Sequence, residues 1–241
     1  MKRISELMPY PTVGFICEKG GGKTIKMSTE ANKMTKMIFV DALGVLDPRQ
    51  HYRTGVIPNT NYYTRKITRN DTEYEATPAV DVFLSEVKRC ERETKLTRHI
   101  IDFSDSKNRP EEIVKLLNWM KDEARHNKNA YALFIDECQL FFPQRERAEK
   151  EAVEFFQSCR NWGIQPAVMA TQRPQSTDKD ILELCEVLYI GAQLGLNTVS
   201  HLSKIGQIDQ ETINRMPKRS FYNTETKTII KTPHYKYANK Q

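Results

Sequence analysis

Residues 17–24 read Cys-Glu-Lys-Gly-Gly-Gly-Lys-Thr, and they limit what this chain can fold into more than any other stretch. They follow the apolar run at 12–16, so the order is a strand, a glycine-rich turn, and a lysine and a threonine that open a helix. Glycines let successive backbone N–H groups point at a phosphate chain, and the helix N-terminus adds the positive end of its dipole. The octet therefore predicts a phosphate-binding loop. The residues predicted to bind the nucleotide are Cys17, Glu18, Lys19, Gly20, Gly21, Gly22, Lys23 and Thr24.

The octet departs from the usual phosphate-loop pattern, G-x-x-x-x-G-K-[ST], at its first position. Its last three residues match, whereas Cys17 stands where the first glycine belongs. Lys23 is expected to reach the β- and γ-phosphates, and the Thr24 hydroxyl to hold Mg²⁺. Because Cys17 lacks the backbone freedom of glycine, we expect a lower nucleotide affinity and a thiol open to modification beside the phosphates. Without the rest of the chain, the octet also fits a flexible Gly-Lys surface turn.

The composition predicts one globular, soluble domain in a cytoplasm-like compartment. With 241 residues, 39% hydrophobic and 28% charged, the chain can bury one sizeable core. We predict a single domain over 1–241, with its core at about 12–205 and a basic extension at about 206–241. The sequence shows neither a signal peptide nor an apolar run of about 18 residues. The cysteines and histidines are scattered without ligand spacing, so neither disulfides nor a structural metal are expected.

Residues 215–241 carry the whole net charge of +6. They hold seven Lys and Arg residues against one acid, Glu225, and three tyrosines lie among them. A basic, aromatic tail of this kind can contact nucleic acid, and a solubilising extension explains the same composition equally well. Arg65, Lys66 and Arg69 form a smaller basic group with the same two explanations.

Strand-like and helix-like segments alternate along the chain, which is typical of an α/β fold with a largely parallel sheet. Apolar runs predict strands at 12–17, 37–41, 99–103, 131–135, 166–172 and 186–190. Helical spacing of apolar residues predicts helices at 23–36, 80–93, 109–126, 145–161, 178–184 and 196–204. We also predict a helical turn at 209–216, a small C-terminal β hairpin at 220–232, and an edge strand or hairpin arm at 61–68. The predicted fold is a mostly parallel central sheet flanked by helices.

The carboxyl ends of parallel strands meet at one edge of a sheet, where α/β proteins bind ligands. Besides the loop, this edge is expected to hold Asp41, Asp136, Glu137, Thr171 and Gln172. Asp136 would orient Mg²⁺ through its waters, and Glu137 would polarise the attacking water. Gln172 would hydrogen-bond the γ-phosphate or that water. Considered separately, the Asp-Glu pair also fits a solvated acidic turn, and Gln172 a polar strand end before a proline turn.

These motifs resemble those of the FtsK–HerA superfamily of DNA-pumping ATPases over about residues 12–200. The octet is similar to its Walker A loop, and 133–137 to its Walker B strand with the additional glutamate. The most specific match is Ala-Thr-Gln-Arg-Pro at 170–174, and 41–44 resembles the motif after the second strand. Residues 160–164 resemble the segment that supplies an arginine finger to the neighbouring subunit, which implies that role for Arg160. As an alternative, Arg160 would pair with an acid on its own helix.

The resemblance implies a RecA-like P-loop core that uses ATP and Mg²⁺ to translocate double-stranded DNA, in a ring homo-oligomer expected to be a hexamer. The implied catalytic residues are Glu137, Lys23, Gln172 and Arg160, and the implied magnesium residues are Thr24 and Asp136. The chain is too short for the N-terminal barrel of HerA or the membrane segments and tail domain of FtsK. It is therefore most similar to the genome-packaging ATPases of membrane-containing icosahedral viruses, archaeal ones included.

The resemblance also implies partners and a location, and other functions stay open. Capsid or membrane-vertex proteins are further candidate partners. The expected location is the cytoplasm, that of the host if the chain is viral, with association with the virion as a second option. A conjugative or plasmid DNA-transfer ATPase or a HerA-type DNA-processing ATPase shares the motifs, although the missing membrane helices count against conjugation. A nucleotide-dependent regulatory switch with little turnover is a further alternative, which Cys17 keeps open.

Overall fold

A nine-stranded sheet forms the middle of the molecule, with helices on both faces. The structure is a computed structural model and describes residues 10–18, 21–46, 57–70, 73–191, 198–200, 202, 208–217 and 220–231. The strands are β1 (Thr12–Ile16), β2 (Met37–Asp41), β3 (Asn61–Tyr63), β4 (Lys66–Asn70), β5 (Glu73–Thr77), β6 (Arg98–Asp102), β7 (Ala132–Ile135), β8 (Ala167–Thr171), β9 (Val187–Gly191), β10 (Ser220–Asn223) and β11 (Thr228–Lys231). The helices are α1 (Lys23–Ala31), α2 (Ala79–Thr94), α3 (Arg109–Asn127), α4 (Lys150–Ser158), α5 (Lys179–Glu183) and α6 (Gln210–Arg215). Short 3₁₀ turns lie at Cys138–Leu140, Cys159–Trp162 and Pro174–Ser176.

The strands of the large sheet lie in the order β11-β10-β9-β1-β8-β7-β2-β6-β3. Neighbouring strands from β9 to β3 are parallel, and only β10 and β11 run antiparallel within this sheet. β1 lies between β8 and β9, and β8 separates it from β7. The parallel strands therefore bring their carboxyl ends to one edge, and the predicted α/β fold class is confirmed.

The central strands β1, β2, β7, β8 and β9 bury both of their faces. Successive side chains of a strand point to opposite sides of a sheet. In β7, Leu133 and Ile135 pack into a core with α2, α3, α4 and α5, whereas Phe134 packs into a second core with Phe15 of β1 and Met27 of α1. Because both faces are covered, these strands appear in the sequence as continuous apolar runs.

The C-terminal hairpin extends the large sheet. β10 pairs with β9, with Tyr222 opposite Ile190, and Phe221 is buried against the ring of Phe15. This pairing satisfies main-chain groups that an open strand edge would otherwise expose. Residues 232–241 of the basic tail lie outside the described residues, so the basic extension and the proposed domain limits stay predictions.

The helix predicted at 145–161 forms only in part, since α4 spans Lys150–Ser158 and a 3₁₀ turn follows. The N–H of Ala148 donates to the carboxylate of Asp178 at 2.9 Å. Residues 145–149 therefore lie outside the helix, where Ala148 is joined to Asp178, the residue that caps the start of α5. The helix predicted at 23–36 likewise ends early, at Ala31, because the chain turns before β2.

The stretch at 61–68 divides between two sheets. β3 is an edge strand of the large sheet and runs parallel to β6, whereas β4 pairs with β5 in a separate antiparallel hairpin. The edge strand and the hairpin arm predicted there as alternatives therefore both occur. Of the helix predicted at 196–204, residues 198–200 and 202 are helical, and the others lie outside the described residues.

Candidate nucleotide-binding site

The loop after β1 begins at the carboxyl edge of the sheet. The N–H of Cys17 donates to the carbonyl of Thr171 at the end of β8, at 3.2 Å. Gly22, directly before α1, has a φ of 91°, a conformation that residues with a side chain rarely adopt. A glycine is therefore required where the loop enters the helix. Lys19 and Gly20 lie outside the described residues, so their predicted contacts stay predictions.

Two glycines make room for the side chain that replaces the first loop glycine. Cys17 is fully buried, and a Cβ on Gly191 of β9 would come within 2.3 Å of its own Cβ. On another side, a Cβ on Gly21 would lie 3.0 Å from the Cys17 Sγ, and the Gly21 N–H donates to the Glu18 carbonyl at 3.1 Å. Burial raises the pKa of Cys17 to about 12, despite the opposing charge of Lys23. The expectation of a readily modified thiol is therefore wrong.

Lys23, the first residue of α1, reaches the end of β7. Its Nζ lies 2.6 Å from Oε1 of Glu137 and 3.6 Å from Oδ1 of Asp136, and all three side chains are buried. Burial alone would lower the pKa of Lys23, but the two carboxylates raise it above its usual value. Lys23 is therefore a buried cation with a fixed charge at neutral pH.

Thr24 and Asp136 form a second contact next to this ion pair. The Thr24 hydroxyl donates to Oδ2 of Asp136 at 2.8 Å, and Oδ1 accepts from the N–H of Glu137 at 3.0 Å. Burial raises the pKa of Asp136, and the charge of Lys23 opposes that rise. A hydroxyl beside a carboxylate fits Mg²⁺, which keeps several waters and few protein ligands. The oxygens of Thr24 and Asp136 are thus suited to the predicted ion, the carboxylate through a water.

Glu137 lies at the centre of the candidate site. Its Oε1 contacts Lys23 and accepts from Nε2 of Gln172, and its Oε2 accepts from Nε2 of Gln139 at 2.8 Å. Burial alone would raise the pKa of Glu137, but Lys23 and the two amides hold it below its usual value. Its φ of 51° is left-handed, and backbone strain of this kind is concentrated at functional positions.

The end of β8 contributes two neighbouring side chains with different partners. Gln172 contacts Glu137, as its predicted position at the strand end allows, and the Thr171 hydroxyl donates to Oε1 of Gln139 at 2.7 Å. Sequence reasoning missed Gln139. Its one sign in the sequence is a polar residue in the otherwise apolar run at 138–142, and its partner on another strand leaves no trace in local spacing.

A groove of about 730 Å³ opens beside Glu137 and Gln172. Arg145, Arg173 and Gln144 are among the residues that line it. The buried contacts of the candidate site therefore continue into a polar groove at the protein surface.

Asp41 ends β2, the strand next to β7, but its partners lie in its own turn. The carboxylate accepts hydrogen bonds from the N–H groups of Leu43, Val45 and Leu46 at 3.3, 3.0 and 2.5 Å. Burial raises the pKa of Asp41 to about 6, although these hydrogen bonds oppose the shift. Asp41 stabilises the turn that follows it.

Arg160 lies at the other edge of the sheet from Glu137. Its 3₁₀ turn precedes the amino end of β8, whereas Gln172 follows the carboxyl end of that strand. A strand of five residues spans about 17 Å, so the exposed Arg160 and the Glu137 of one protomer are far apart. The alternative is that Arg160 pairs with an acid on its own helix. One such acid, Glu154 on the preceding helix, pairs with Lys121 at 3.3 Å. The predicted finger role of Arg160 therefore requires a second copy of the chain.

Comparisons with known proteins agree with this fold. Residues 79–230 match the sequence profile of the family described as Zonular occludens toxin (Zot). A comparison with curated protein sequences gives no match.

Three solved structures illustrate the similarity. B204, the DNA-packaging ATPase from Sulfolobus Turreted Icosahedral Virus, has a TM-score of 0.63 and 18% identity, over 93% of this chain and 98% of B204. The genome packaging NTPase B204 from Sulfolobus turreted icosahedral virus 2, in complex with ATP-gammaS, has a TM-score of 0.61 and 16% identity, over 93% and 98%. VirB4 of Thermoanaerobacter pseudethanolicus has a TM-score of 0.56 and 9% identity, over 97% and 92%.

The nine-stranded sheet, the glycine loop and the paired carboxylates define a P-loop nucleotide-binding fold, which is similar to the folds of B204 and VirB4. Within this class, the profile match covers more than half of the chain, and the protein belongs to the Zonular occludens toxin (Zot) family. Among the residues that the structure describes, no helix is both long and apolar enough to span a membrane.

Proposed function

We propose that the protein is a motor that hydrolyses ATP with Mg²⁺ and translocates double-stranded DNA, and that its role is to package a viral genome into a preformed capsid. The observation that carries the proposal is the buried contact of Lys23 and Gln172 with one oxygen of Glu137. Phosphate binding, response to the γ-phosphate and activation of water require those three groups side by side. The similarity to B204 over nearly the full length of both chains supports DNA packaging.

In the proposed cycle, Lys23 exchanges Glu137 for the phosphates of ATP. The two partners compete because each binds the same ammonium group, which lies 2.6 Å from Glu137. Once Lys23 turns away and the phosphate charges approach, the pKa of Glu137 rises from its lowered value. Glu137 then becomes a better base for the proton of the attacking water.

The other residues of the site hold and report the bound nucleotide. Thr24 and Asp136 would hold Mg²⁺, which supplies charge neutralisation on the β- and γ-phosphates. Gln172 would turn its amide from Glu137 to the γ-phosphate, and so transmit hydrolysis to β8 and to the groove beside it. A side chain with two alternative acceptors is suited to this role.

Arg160 would complete the site from the adjacent protomer of a ring, which we propose to be a hexamer. Its position at the opposite edge of the sheet supports action in trans, and an arginine there would stabilise charge on the transferring phosphoryl group. We expect Arg160→Ala and Glu137→Gln each to be inactive alone, and mixed rings to regain turnover, because some interfaces then combine two intact groups. Mixtures as inactive as either variant would contradict this arrangement.

The proposal is tested by ATP turnover with and without duplex DNA, measured alongside the oligomeric state. A DNA pump is expected to form rings and to hydrolyse ATP faster on duplex DNA. Rings without any effect of DNA on turnover would contradict the motor. A neighbouring gene for a double jelly-roll capsid protein would separate packaging from conjugation.

A second candidate is a nucleotide-dependent switch with little turnover. The observation that favours it is the occupied carboxylate of Glu137, which has hydrogen-bond donors on both oxygens. A switch is expected to bind ATP tightly and to hydrolyse it slowly even on DNA. The same turnover measurement, joined to a binding measurement, separates the two functions.

A further inference from the structure

We propose that Gln139 is a positioning residue: it holds Oε2 of Glu137, so that Oε1 is the oxygen that takes the proton from water. The inference rests on the proposed function, in which Glu137 is the base. It adds a residue to the site and assigns a separate task to each carboxylate oxygen.

The two ends of the Gln139 amide are fixed by different elements. Nε2 donates to Oε2 of Glu137 at 2.8 Å, and Oε1 accepts from the Thr171 hydroxyl at 2.7 Å. Only the nitrogen of an amide can donate and only its oxygen can accept from a hydroxyl. These partners therefore determine which way the amide faces, and they tie the turn after β7 to the end of β8.

The Thr171 hydroxyl is itself fully engaged. It donates to Gln139 and accepts from the hydroxyl of Thr177 at 3.1 Å and from the N–H of Arg173 at 3.0 Å. The Thr177 hydroxyl has a second acceptor in the Arg173 carbonyl, at 3.2 Å, whereas Oε1 of Gln139 can only accept, so it is the contact with Gln139 that directs the Thr171 proton. Thr171 and Thr177 are each only 1% exposed, and hydrogen bonds in such surroundings are strong and specific.

The two oxygens of Glu137 differ in what their partners do next. Lys23 and Gln172, on Oε1, are the groups that would turn to the phosphates of ATP. Gln139, on Oε2, remains anchored to Thr171. When the first two leave, Oε1 becomes free while Oε2 stays bound, so the carboxylate keeps its orientation and presents one oxygen to the water.

The test compares Gln139→Leu with Gln144→Leu in the DNA-stimulated ATPase. Both glutamines line the same groove, but Gln144 is exposed and Glu137 is not among its hydrogen-bond partners. Loss of a hydrogen bond to a charged group predicts a fall in kcat of about 10- to 100-fold for Gln139→Leu. The KM for ATP is expected to stay within about threefold, since the Gln139 amide bonds Glu137 and Thr171 and, within the described part of the chain, none of the predicted phosphate-binding residues.

A merely structural role would not lower kcat while leaving KM in place. Thr171→Val, which removes the anchor of Gln139, is expected to lower kcat in the same way, and Thr171→Ser, which keeps the hydroxyl, to behave like wild type. Gln144→Leu is expected to leave both kcat and KM unchanged.

Glu137→Gln, measured in parallel, separates the two levels of the proposal. If Glu137→Gln turns over like wild type, Glu137 is not the base, and the proposed function fails together with this inference. If Glu137→Gln is inactive but Gln139→Leu keeps its kcat within twofold, or raises KM by as much as it lowers kcat, only the positioning role is overturned. If Gln139→Leu does not fold, Thr171→Val against Thr171→Ser decides by the same readout.

Discussion

Two neighbouring strands, β7 and β2, end in buried carboxylates, but only the carboxylate after β7 is held by side chains that could move to a ligand. Glu137, after β7, is held by side chains from α1, from a 3₁₀ turn and from the end of β8. Asp41, at the end of β2, is held by three backbone N–H groups of the turn that follows it. Side chains can exchange one acceptor for another, whereas the N–H groups of a turn are fixed. The hydrogen-bond partners of a buried carboxylate, more than its burial, therefore decide whether it can be released to act as a base.

The pKa values of the two residues diverge for the same reason. Burial would raise both, but the buried cation of Lys23 lowers the pKa of Glu137, whereas the pKa of Asp41, which has N–H dipoles and the carboxylates of Asp102 and Asp136 near it, is raised to about 6. Glu137 is therefore charged throughout the neutral range, and Asp41 loses its proton as the pH rises to neutrality. This contrast leads to measurable differences between the two strand ends.

The largest effect on activity is expected from Lys23→Met, which removes the cation beside Glu137 at the end of β7. We expect kcat/KM for ATP to fall by ~10³-fold, or about 4 kcal/mol, because charge stabilisation on the phosphates is lost. The control is Lys36→Met, since Lys36 is exposed and bonds Asn129 at 2.6 Å. Steady-state kinetics that place Lys23→Met within tenfold of wild type would remove the distinction between the two strand ends.

Asp41→Asn tests the end of β2 through the free energy of unfolding. Because folding raises the pKa of Asp41 to about 6 from about 4, its favourable contribution is present below pH 4 and is lost as the pH rises to about 6. This contribution to the free energy of unfolding amounts to about 3 kcal/mol. The variant lacks this pH dependence, because an asparagine at position 41 does not titrate. In urea unfolding, the stability advantage of wild type over Asp41→Asn is expected to shrink by that amount between pH 4 and pH 7. A difference that is constant with pH would contradict the assigned environment.

A smaller effect is expected from a change in the packing of the loop that leads from β1 to Lys23. Gly191→Ala places a Cβ within 2.3 Å of the Cys17 Cβ, and such overpacking is expected to cost about 2 kcal/mol of unfolding free energy. Cys17→Gly in the same chain is expected to restore most of that loss, because it removes the clashing atom. Cys17→Ala keeps the Cβ and serves as the control. Equal behaviour of the two double variants in thermal unfolding would refute this account of Cys17.

The sequence predicted the fold and the position of the site because both depend on local pattern. Continuous apolar runs such as 131–135 follow from strands buried on two faces, and carboxyl ends of parallel strands must meet at one edge. Asp136, Glu137 and Gln172 were placed at that edge for this reason.

Side-chain partners were beyond the reach of the same pattern. Asp41 and Glu137 each follow an apolar strand, and nothing in their spacing shows that one bonds its own turn and the other a distant lysine. Gln139 depends on Thr171, 32 positions away, and the space for Cys17 depends on Gly191. The contact of Ala148, just before α4, depends on Asp178, 30 positions away. Contacts between distant segments decided each of these features.

The role of Glu137 as the base is tested by measuring two properties of Glu137→Gln together: its affinity for ATP and its ATP turnover on duplex DNA. We expect the variant to bind ATP at least as tightly as wild type, because no charged side chain then competes with the phosphates for Lys23, while turnover falls by ~10³-fold or more. A variant that hydrolyses ATP at the wild-type rate would contradict the account, since Glu137 would then not be the base.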